Sequence, residues 1–318
     1  MKYFYFGRAR VAMDEAFVLP DSWKDFEREI PWEYDLSLRK GKGSCGYDES
    51  LAKTYGSARV IDDKDSWKFI ASAPLKLREI SDNLLAGMEH AGAASGPAEA
   101  VPGAASDPAK VFGSAAWSNR QQDYRTCLAT SRDYRDCVYY CGQSIADHIQ
   151  NFQNAFDALL TLHEGSVIHA SCVKYKGEAI LFCGPSGMGK STQARLWETY
   201  RGTYMLSSDA PAVFLRDGRL TAHGMPWDGS DQIFTQESAP VRAIVRLEQA
   251  RENEIRPMGE MELFTVLLEQ AHLPLWDAGA MEKEARLLKK MAKTARGYRL
   301  YCRPEESAVD LLEKTLDF

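Results

Sequence analysis

A glycine-rich segment at positions 184–191 has the GxxxxGK[ST] spacing of a phosphate-binding loop. Glycines at this spacing let successive backbone N–H groups curve around phosphate oxygens, and a helix that starts there adds its positive end. Lys190 is expected to reach the β- and γ-phosphates of ATP, and Ser191 to ligate Mg²⁺. The alternative is a glycine turn with an exposed lysine, which the flanking apolar run and helical segment disfavour. The predicted nucleotide-binding residues are Gly184, Pro185, Ser186, Gly187, Met188, Gly189, Lys190, Ser191 and Thr192.

A loop of this kind also needs an acidic residue that holds the metal or orients the nucleophile. Asp209 follows the next predicted strand, 19 residues after Lys190, so a sheet could bring the two together. We predict that Asp209 ligates Mg²⁺ together with Ser191 and shares a catalytic role with Lys190. The alternative is an aspartate that ends a strand and caps the turn before Pro211.

The elements that would hold these residues alternate between strands and helices from position 166 onward. A continuous apolar run over 179–183 predicts a strand covered on both faces, and residues 191–200 predict the helix after the loop. Asp217 and Gly218 form a strong two-residue hairpin signal. This alternation is typical of an α/β domain. The other predicted strands cover 167–173, 204–206, 213–216, 219–222, 243–247 and 299–302, and the other predicted helices cover 260–272, 281–294 and 305–316.

The first part of the chain has a different pattern, because short β-rich runs at 3–6, 58–61, 67–71 and 137–141 are separated by Gly, Asp, Ser and Lys. Residues 91–110 are small and rich in Pro and Gly. They cannot bury enough apolar area to offset their ordering entropy, so we predict a mobile surface insertion there. Helical spacing over 145–162 predicts a helix between two domains. We therefore predict a β-rich domain over 1–145 and the loop-bearing domain over 146–318.

Composition limits the possible classes of protein. The chain has 318 residues, a net charge of −6 and a pI near 5.6, which argue against a nucleic-acid-binding surface. We find no signal peptide and no apolar run long enough to span a bilayer, so we expect a cytoplasmic protein without membrane contact. The seven cysteines are odd in number and scattered, which fits reduced thiols. Cys137 and Cys141 are spaced CxxxC, but no second pair completes a zinc set.

The segments 167–171, 184–192 and 206–209 together resemble the HPr kinase/phosphorylase family and its relatives, which share a core with ATP-dependent phosphoenolpyruvate carboxykinases. The resemblance covers roughly residues 150–318. It implies an HPr kinase/phosphoenolpyruvate carboxykinase-like P-loop domain in which the loop follows a hairpin. The segments 222–227 and 300–304 also resemble HPr kinase-related proteins that accompany peptide-modification gene clusters.

The resemblance implies a role for one histidine in particular. In this family a histidine precedes the first glycine of the loop by about fifteen residues, and His169 precedes Gly184 by 15. His169 is therefore expected near the γ-phosphate or the metal, as a third catalytic residue beside Asp209 and Lys190. The alternative is a histidine packed in the core. The family commonly carries two adjacent aspartates at the acidic site, whereas this chain has Ser208 before Asp209, which puts a second, phosphorylase activity in doubt.

Four further residues are weaker candidates for the site. His223 follows the predicted hairpin and could lie in a loop over the nucleotide or acceptor, or in a simple packing turn. His272 is another weaker candidate for the site. Arg242 and Arg246 flank the strand at 243–245 and could clamp phosphate, or they could be ordinary ion-paired arginines at the ends of a strand.

The function we expect from these residues is a kinase that transfers the γ-phosphoryl group of ATP, with Mg²⁺, to a hydroxyl such as a serine of a peptide or small protein. A phosphoenolpyruvate carboxykinase-like enzyme, a small-molecule kinase, and an ATP-dependent module that binds a peptide or protein without transfer remain alternatives. The acceptor and the oligomeric state stay open.

Overall fold

The computed structural model describes residues 1–13, 15, 17, 19, 21–28, 35–40, 53–55, 58–64, 67–72, 126–131, 133–139, 145–227, 233, 235–274 and 277–318. The predicted insertion at 91–110 lies outside these residues, as does Cys141 of the CxxxC pair. Cys137, Cys172, Cys183 and Cys302 are free cysteines in the described part of the chain.

The first part of the chain forms one mixed sheet. The strands are β1 (Lys2–Phe6), β2 (Ala9–Met13), β3 (Glu27–Arg28), β4 (Leu36–Lys40), β5 (Lys53–Tyr55), β6 (Ala58–Lys64), β7 (Trp67–Ser72), β8 (Thr126–Ser131) and β9 (Asp136–Tyr139). Their order in the sheet is β3-β1-β2-β4-β9-β8-β7-β6-β5, and a 3₁₀ helix over Asp21–Phe26 precedes β3. Most neighbouring strands are antiparallel, but β4 runs parallel to both β2 and β9.

The second part of the chain forms a second sheet with helices around it, so the predicted α/β class is confirmed. The helices are α1 (Ile145–Leu162), α2 (Lys190–Arg201), α3 (Glu260–Gln270), α4 (Ala278–Thr294) and α5 (Glu306–Leu316). The strands are β10 (Gly165–Val167), β11 (Ala170–Tyr175), β12 (Glu178–Cys183), β13 (Tyr204–Ser207), β14 (Ala212–Arg216), β15 (Arg219–His223), β16 (Ser238–Gln249), β17 (Glu254–Pro257) and β18 (Gly297–Cys302).

The second sheet curls because one long strand belongs to two sets of neighbours. The first residues of β16 pair antiparallel with β15, which continues to β14 and β10. The rest of β16 pairs parallel with β12 on one side and with β18 on the other. The carboxyl ends of β12, β16 and β18 therefore lie at the same edge, where open α/β sheets commonly bind ligands.

β12 is buried on both faces, as its apolar sequence predicts. Ile180 and Phe182 pack in a cluster with Trp197 of α2 and Leu312 of α5. Leu181 belongs to the cluster on the opposite face, which includes residues of α3 and α4. This strand leads directly into the glycine loop, so the loop starts from a well-fixed position.

The predicted strand over 167–173 is wrong in one respect, since it is two strands with His169 between them. Val167 of β10 pairs with Ala212 of β14, whereas Ala170 of β11 pairs with Cys183 of β12. The chain changes partners at this point, and Ile168 makes only an isolated bridge to Ala271. Because of this break, His169 lies outside both strands, and its side chain need not follow the alternation between the two faces of the sheet.

The two sheets share one apolar cluster. Phe6 of β1 lies 6.1 Å from Phe156 of α1 and 5.8 Å from Trp227, measured between ring centroids. Phe214 of β14 joins the same cluster. The predicted boundary near residue 145 thus crosses a continuous core, and the division into 1–145 and 146–318 stays a prediction. No helix among the described residues is long and apolar enough to span a membrane.

Candidate nucleotide-binding site

The glycine loop connects β12 to α2, the strand and helix that its mechanism requires. Gly187 and Gly189 have φ values of 79° and 99°, a backbone region that residues with a Cβ rarely adopt. Gly189 is the residue that precedes the first turn of α2. Pro185, Ser186 and Gly187 are exposed, so the loop opens to solvent at the positive end of the helix.

Lys190 lies against the backbone of the loop. Its Nζ donates hydrogen bonds to the carbonyl oxygens of Gly184 at 2.9 Å and Pro185 at 3.4 Å. Only 8% of the residue is exposed. Burial lowers the pKa of Lys190, and the charge of Asp209 opposes this shift. The ammonium group is thus next to the loop and coupled to the predicted acidic residue.

His169 and Asp209 meet beside the loop. His169 Nε2 lies 3.1 Å from Asp209 Oδ1, and both side chains are more than a third exposed. The hydrogen bond from His169 lowers the pKa of Asp209, and the charges of His169, Lys190 and His272 act in the same direction against its partial burial. Asp209 is therefore a carboxylate at neutral pH. The Ala170 N–H donates to the Asp209 carbonyl at 2.8 Å, which ties the acidic residue to the start of β11.

The donors available for a metal are oxygens, which is the ligand type that Mg²⁺ prefers. Ser191 is half-buried at the start of α2, and the Asp209 carboxylate is accessible. Among the described residues no group of three His, Cys, Asp or Glu side chains could hold a metal alone. Mg²⁺ commonly takes one or two protein ligands and completes its shell with water and phosphate oxygens, so this sparse set fits it.

Ser208, the residue before Asp209, is fixed by its backbone. Its N–H donates to the Ile233 carbonyl at 3.1 Å, and its own carbonyl accepts from Ser171 Oγ at 2.7 Å. The Ser208 hydroxyl is buried and makes no hydrogen bond. A neutral group therefore stands beside Asp209.

The end of α3 fills the gap between β10 and β11. The His169 N–H donates to the Gln270 carbonyl at 2.7 Å, and the His272 N–H donates to the Val167 carbonyl at 2.9 Å. Burial lowers the pKa of His272 to about 4, with a further contribution from the charge of His169. His272 is therefore neutral at pH 7, behind the His169–Asp209 pair.

Two carboxyl groups lie behind His272. Asp157 Oδ2 of α1 is 4.0 Å from His272 Nδ1. Glu284 of α4 accepts a hydrogen bond from Ser166 Oγ of β10. Burial raises the pKa of Asp157, helped by the charge of Glu284, and burial raises the pKa of Glu284 to about 8.

Sequence reasoning missed Gln270, which contacts both sides of the site. Its side-chain amide faces the carbonyl oxygens of Gly184 at 2.9 Å and His169 at 3.2 Å, so we assign the amide nitrogen to that side. A signal existed, because Gln270 continues the buried positions Leu263, Val266 and Leu267 at helical spacing and is itself 6% exposed. A buried polar residue on the apolar face of a helix needs a hydrogen-bond partner.

The other candidates are dispersed. His223 is packed edge-on against Phe214, with ring centroids 5.0 Å apart, and burial lowers its pKa to about 4. Arg242 donates to the carbonyls of Leu316 and Asp317, which occupies its guanidinium away from the loop. Arg246 lies opposite Cys183 in the sheet, near the start of the loop, and is ion-paired with Glu269.

Comparisons with known proteins find similarity to a family model and to solved structures. A family model described as SynChlorMet cassette protein ScmC matches residues 149–295, which include the loop and α3. Among solved structures, the HPr(Ser) kinase/phosphatase from Coxiella burnetii matches with 10% identity over 47% of this chain and 94% of that chain, at a TM-score of 0.29. So low a score carries no argument, and the HPr kinase-like domain stays a prediction. No curated protein matches the chain.

Proposed function

We propose that this chain is an ATP- and Mg²⁺-dependent kinase that transfers the γ-phosphoryl group to a hydroxyl. One observation carries the proposal: a glycine loop between a buried strand and a helix brings Lys190 into electrostatic contact with Asp209, which is paired with His169. The carboxyl edge of the sheet thereby carries an ammonium group that can bind phosphate, together with a carboxylate and an imidazole. Phosphoryl transfer depends mainly on such positioning and charge.

Each residue has a defined part in the proposed transfer. Exposed N–H groups of the loop and the Lys190 ammonium hold the phosphates, and Ser191 and Asp209 hold the metal. Mg²⁺, when bound, neutralises charge on the phosphate oxygens. The acceptor oxygen bonds to the γ-phosphorus, the bond from phosphorus to the β–γ bridging oxygen breaks, and ADP leaves. The acceptor's proton passes to Asp209 or to His169, which lie 3.1 Å apart.

The acceptor class is the least constrained part of the proposal. We infer a serine hydroxyl of a peptide or small protein, because the segments 222–227 and 300–304 resemble proteins that accompany peptide-modification genes. The match to a family described as a cassette protein makes co-encoded peptides the first acceptors to test.

A second candidate is a module that binds ATP and a peptide without transferring phosphate. The neutral Ser208 favours it, because a metal site with one carboxylate holds less negative charge than one with two. This candidate predicts tight ATP binding without labelled product.

The decisive experiment incubates the full chain with γ-labelled ATP, Mg²⁺ and the peptides encoded beside it. We expect label in a peptide, and a loss of at least about a hundredfold in Lys190→Ala, since one positioned charged group contributes on this scale. Asp209→Asn should reduce turnover more than it weakens ATP binding. Lys176→Ala is the control, because Lys176 is an exposed lysine on the turn between β11 and β12.

The outcomes separate the candidates. Label in a peptide eliminates the pure binding module. Turnover that is unchanged in Lys190→Ala would refute the kinase, and ATP binding without any labelled acceptor or released phosphate would favour the module.

A further inference from the structure

The strand β16 extends beyond β12, the strand that carries the glycine loop. The last residues that pair between them are Cys183 of β12 and Arg246 of β16, whereas β16 itself continues to Gln249. Residues 247–249, here called the β16 extension, pair on their other side with residues 300–302 of β18. The extension is therefore a fixed strand that runs on past the start of the loop.

The loop lies against the β16 extension from its first glycine to its exposed tip. A Cβ on Gly184 would lie 3.5 Å from the carbonyl oxygen of Leu247, so the two backbones are close together there. Met188 packs against the apolar cluster that contains Leu247. At the tip, Gln249 Nε2 donates a hydrogen bond to the carbonyl oxygen of Gly187 at 3.2 Å. The extension thus supports the loop along its length.

The peptide between Gly187 and Met188 is held by both of its polar groups. Its carbonyl accepts from Gln249, and its N–H, which belongs to Met188, donates to the Pro185 carbonyl at 3.2 Å. The orientation of this peptide matters because the C=O and N–H of a trans peptide point in opposite directions, and a carbonyl turned toward phosphate would repel it. Gly187, with a φ of 79°, does not by itself restrict the backbone to one orientation.

We propose that Gln249 is a positioning residue that holds the Gly187 carbonyl away from the phosphates and so keeps the neighbouring loop N–H groups aimed at them. A glutamine amide suits this role, because it donates a hydrogen bond without adding charge. Gln249 is exposed at the end of β16, so its side chain contributes little to the core. The inference rests on the proposed binding of ATP phosphates by the loop.

Two ligands separate an effect on the loop from a contact with the nucleoside. Calorimetry measures the affinity of the wild type and of Gln249→Met for ATP and for inorganic tripolyphosphate, each with Mg²⁺. Methionine has a similar length and no hydrogen-bond donor. Because tripolyphosphate has no base or ribose, a loss that arises in the loop should be equal for the two ligands. We expect both affinities to fall about fivefold, as for the loss of one hydrogen bond.

A spectroscopic signal tests the contact itself without any nucleotide. The ¹³C resonance of the Gly187 carbonyl should shift in Gln249→Met, because this oxygen loses its donor. Gln236→Met is the matched control, since Gln236 is another exposed glutamine and accepts from Arg28 Nη2. The control should leave the Gly187 resonance and both affinities unchanged, and the melting temperatures of both variants should stay close to that of the wild type.

The results distinguish this inference from the proposed function. Unchanged affinities in Gln249→Met, or an unshifted Gly187 resonance, would overturn the role of Gln249 while leaving ATP binding intact. A loss confined to ATP would also overturn it, because Gln249 would then act on the nucleoside. A wild-type protein that binds neither ligand would overturn the proposed function and this inference with it.

Discussion

Lys190 and Asp209 keep their charges while the titratable groups behind them are held neutral. Burial lowers the pKa of His272 to about 4 and raises that of Glu284 to about 8, so both are uncharged at pH 7. Asp157, between them, has its pKa raised by the same cause. His272 and Glu284 therefore add no charge to the site at pH 7, where Lys190 and Asp209 form the charged pair at the loop.

Glu284→Gln should stabilise the protein at neutral and alkaline pH. The pKa of Glu284 is raised on folding from an ordinary value near 4.5 to about 8, so the folded state holds a proton that the unfolded state loses. The contribution of Glu284 to the free energy of unfolding is fully present below pH 4.5 and falls as the pH rises to 8. At pH 7 this contribution is about 3 kcal/mol smaller than it is below pH 4.5. Glutamine is neutral throughout and retains an oxygen to accept from Ser166.

Thermal unfolding across pH 5–8 measures this effect. The melting temperature of Glu284→Gln should exceed that of the wild type increasingly as pH rises. Glu282→Gln is the control on the same helix, because Glu282 is exposed and pairs with Arg286. Parallel pH profiles for the wild type and Glu284→Gln would contradict the prediction.

The sequence identifies residues that belong to one local motif better than residues that meet across the fold. Lys190 and Asp209 could be proposed because each borders a strand or the loop in a short stretch of chain, and His169 could be proposed from the spacing that the family resemblance implies. Gln270 lies 86 positions from Gly184, and Glu284 lies 118 positions from Ser166. Their contacts depend on how α3 and α4 dock, which local pattern does not encode.

At the level of the elements, the break between β10 and β11 is what positions His169. An unbroken strand would alternate its side chains strictly between the two faces of the sheet. The sequence over 167–173 is mostly apolar and contains neither Gly nor Pro, so no turn residue marks the break. It arises because β10 pairs with β14 whereas β11 pairs with β12. By contrast, α1 could be predicted from the helical spacing of its apolar residues, and β12 from its continuous apolar run. The hairpin of β14 and β15 could be predicted from its turn residues Asp217 and Gly218.

Gly187→Ala should impair nucleotide binding more than it impairs stability, and Gly177→Ala is its matched control. The two glycines have φ values of 79° and 86°, and in both the space around an added Cβ is open. The strain of about 1 kcal/mol should therefore be similar in the two variants. Only Gly187 lies in the glycine loop, where a methyl group would enter the space that we propose for phosphate.

The two measurements are thermal unfolding and ATP affinity on the same preparations. We expect similar decreases in melting temperature, with at least about a tenfold loss of ATP affinity confined to Gly187→Ala. Equal ATP affinities in the two variants would mean that the loop does not hold the phosphates.

For the whole molecule, the shared aromatic core makes the two sheets depend on each other. Phe6 is fully buried and contacts Trp23 on its own side and Phe156 and Trp227 on the other. The sequence indicates two β-containing parts but not this cluster, because its members come from distant positions and each could serve a separate core. The structure therefore favours cooperative unfolding despite the change of pattern near residue 145.

Phe6→Ala should destabilise both parts of the chain together. Removing a buried phenylalanine costs about 3–5 kcal/mol, and here the cavity opens between the sheets. Calorimetry should show one transition at lower temperature. The neighbouring Tyr5 is 41% exposed, so Tyr5→Ala should shift the transition much less. A second transition at the wild-type temperature would show that the part of the chain with the second sheet is stable without this contact.

The double pairing of β16 has a consequence for how the molecule opens. Ile244, Val245 and Arg246 have a strand on each side, so their amides can exchange with deuterium only when the sheet itself separates. β12 is paired to this same slow region, and it carries the glycine loop at its end. The exposed loop can thus rearrange around a ligand while the strand at its base stays protected from exchange.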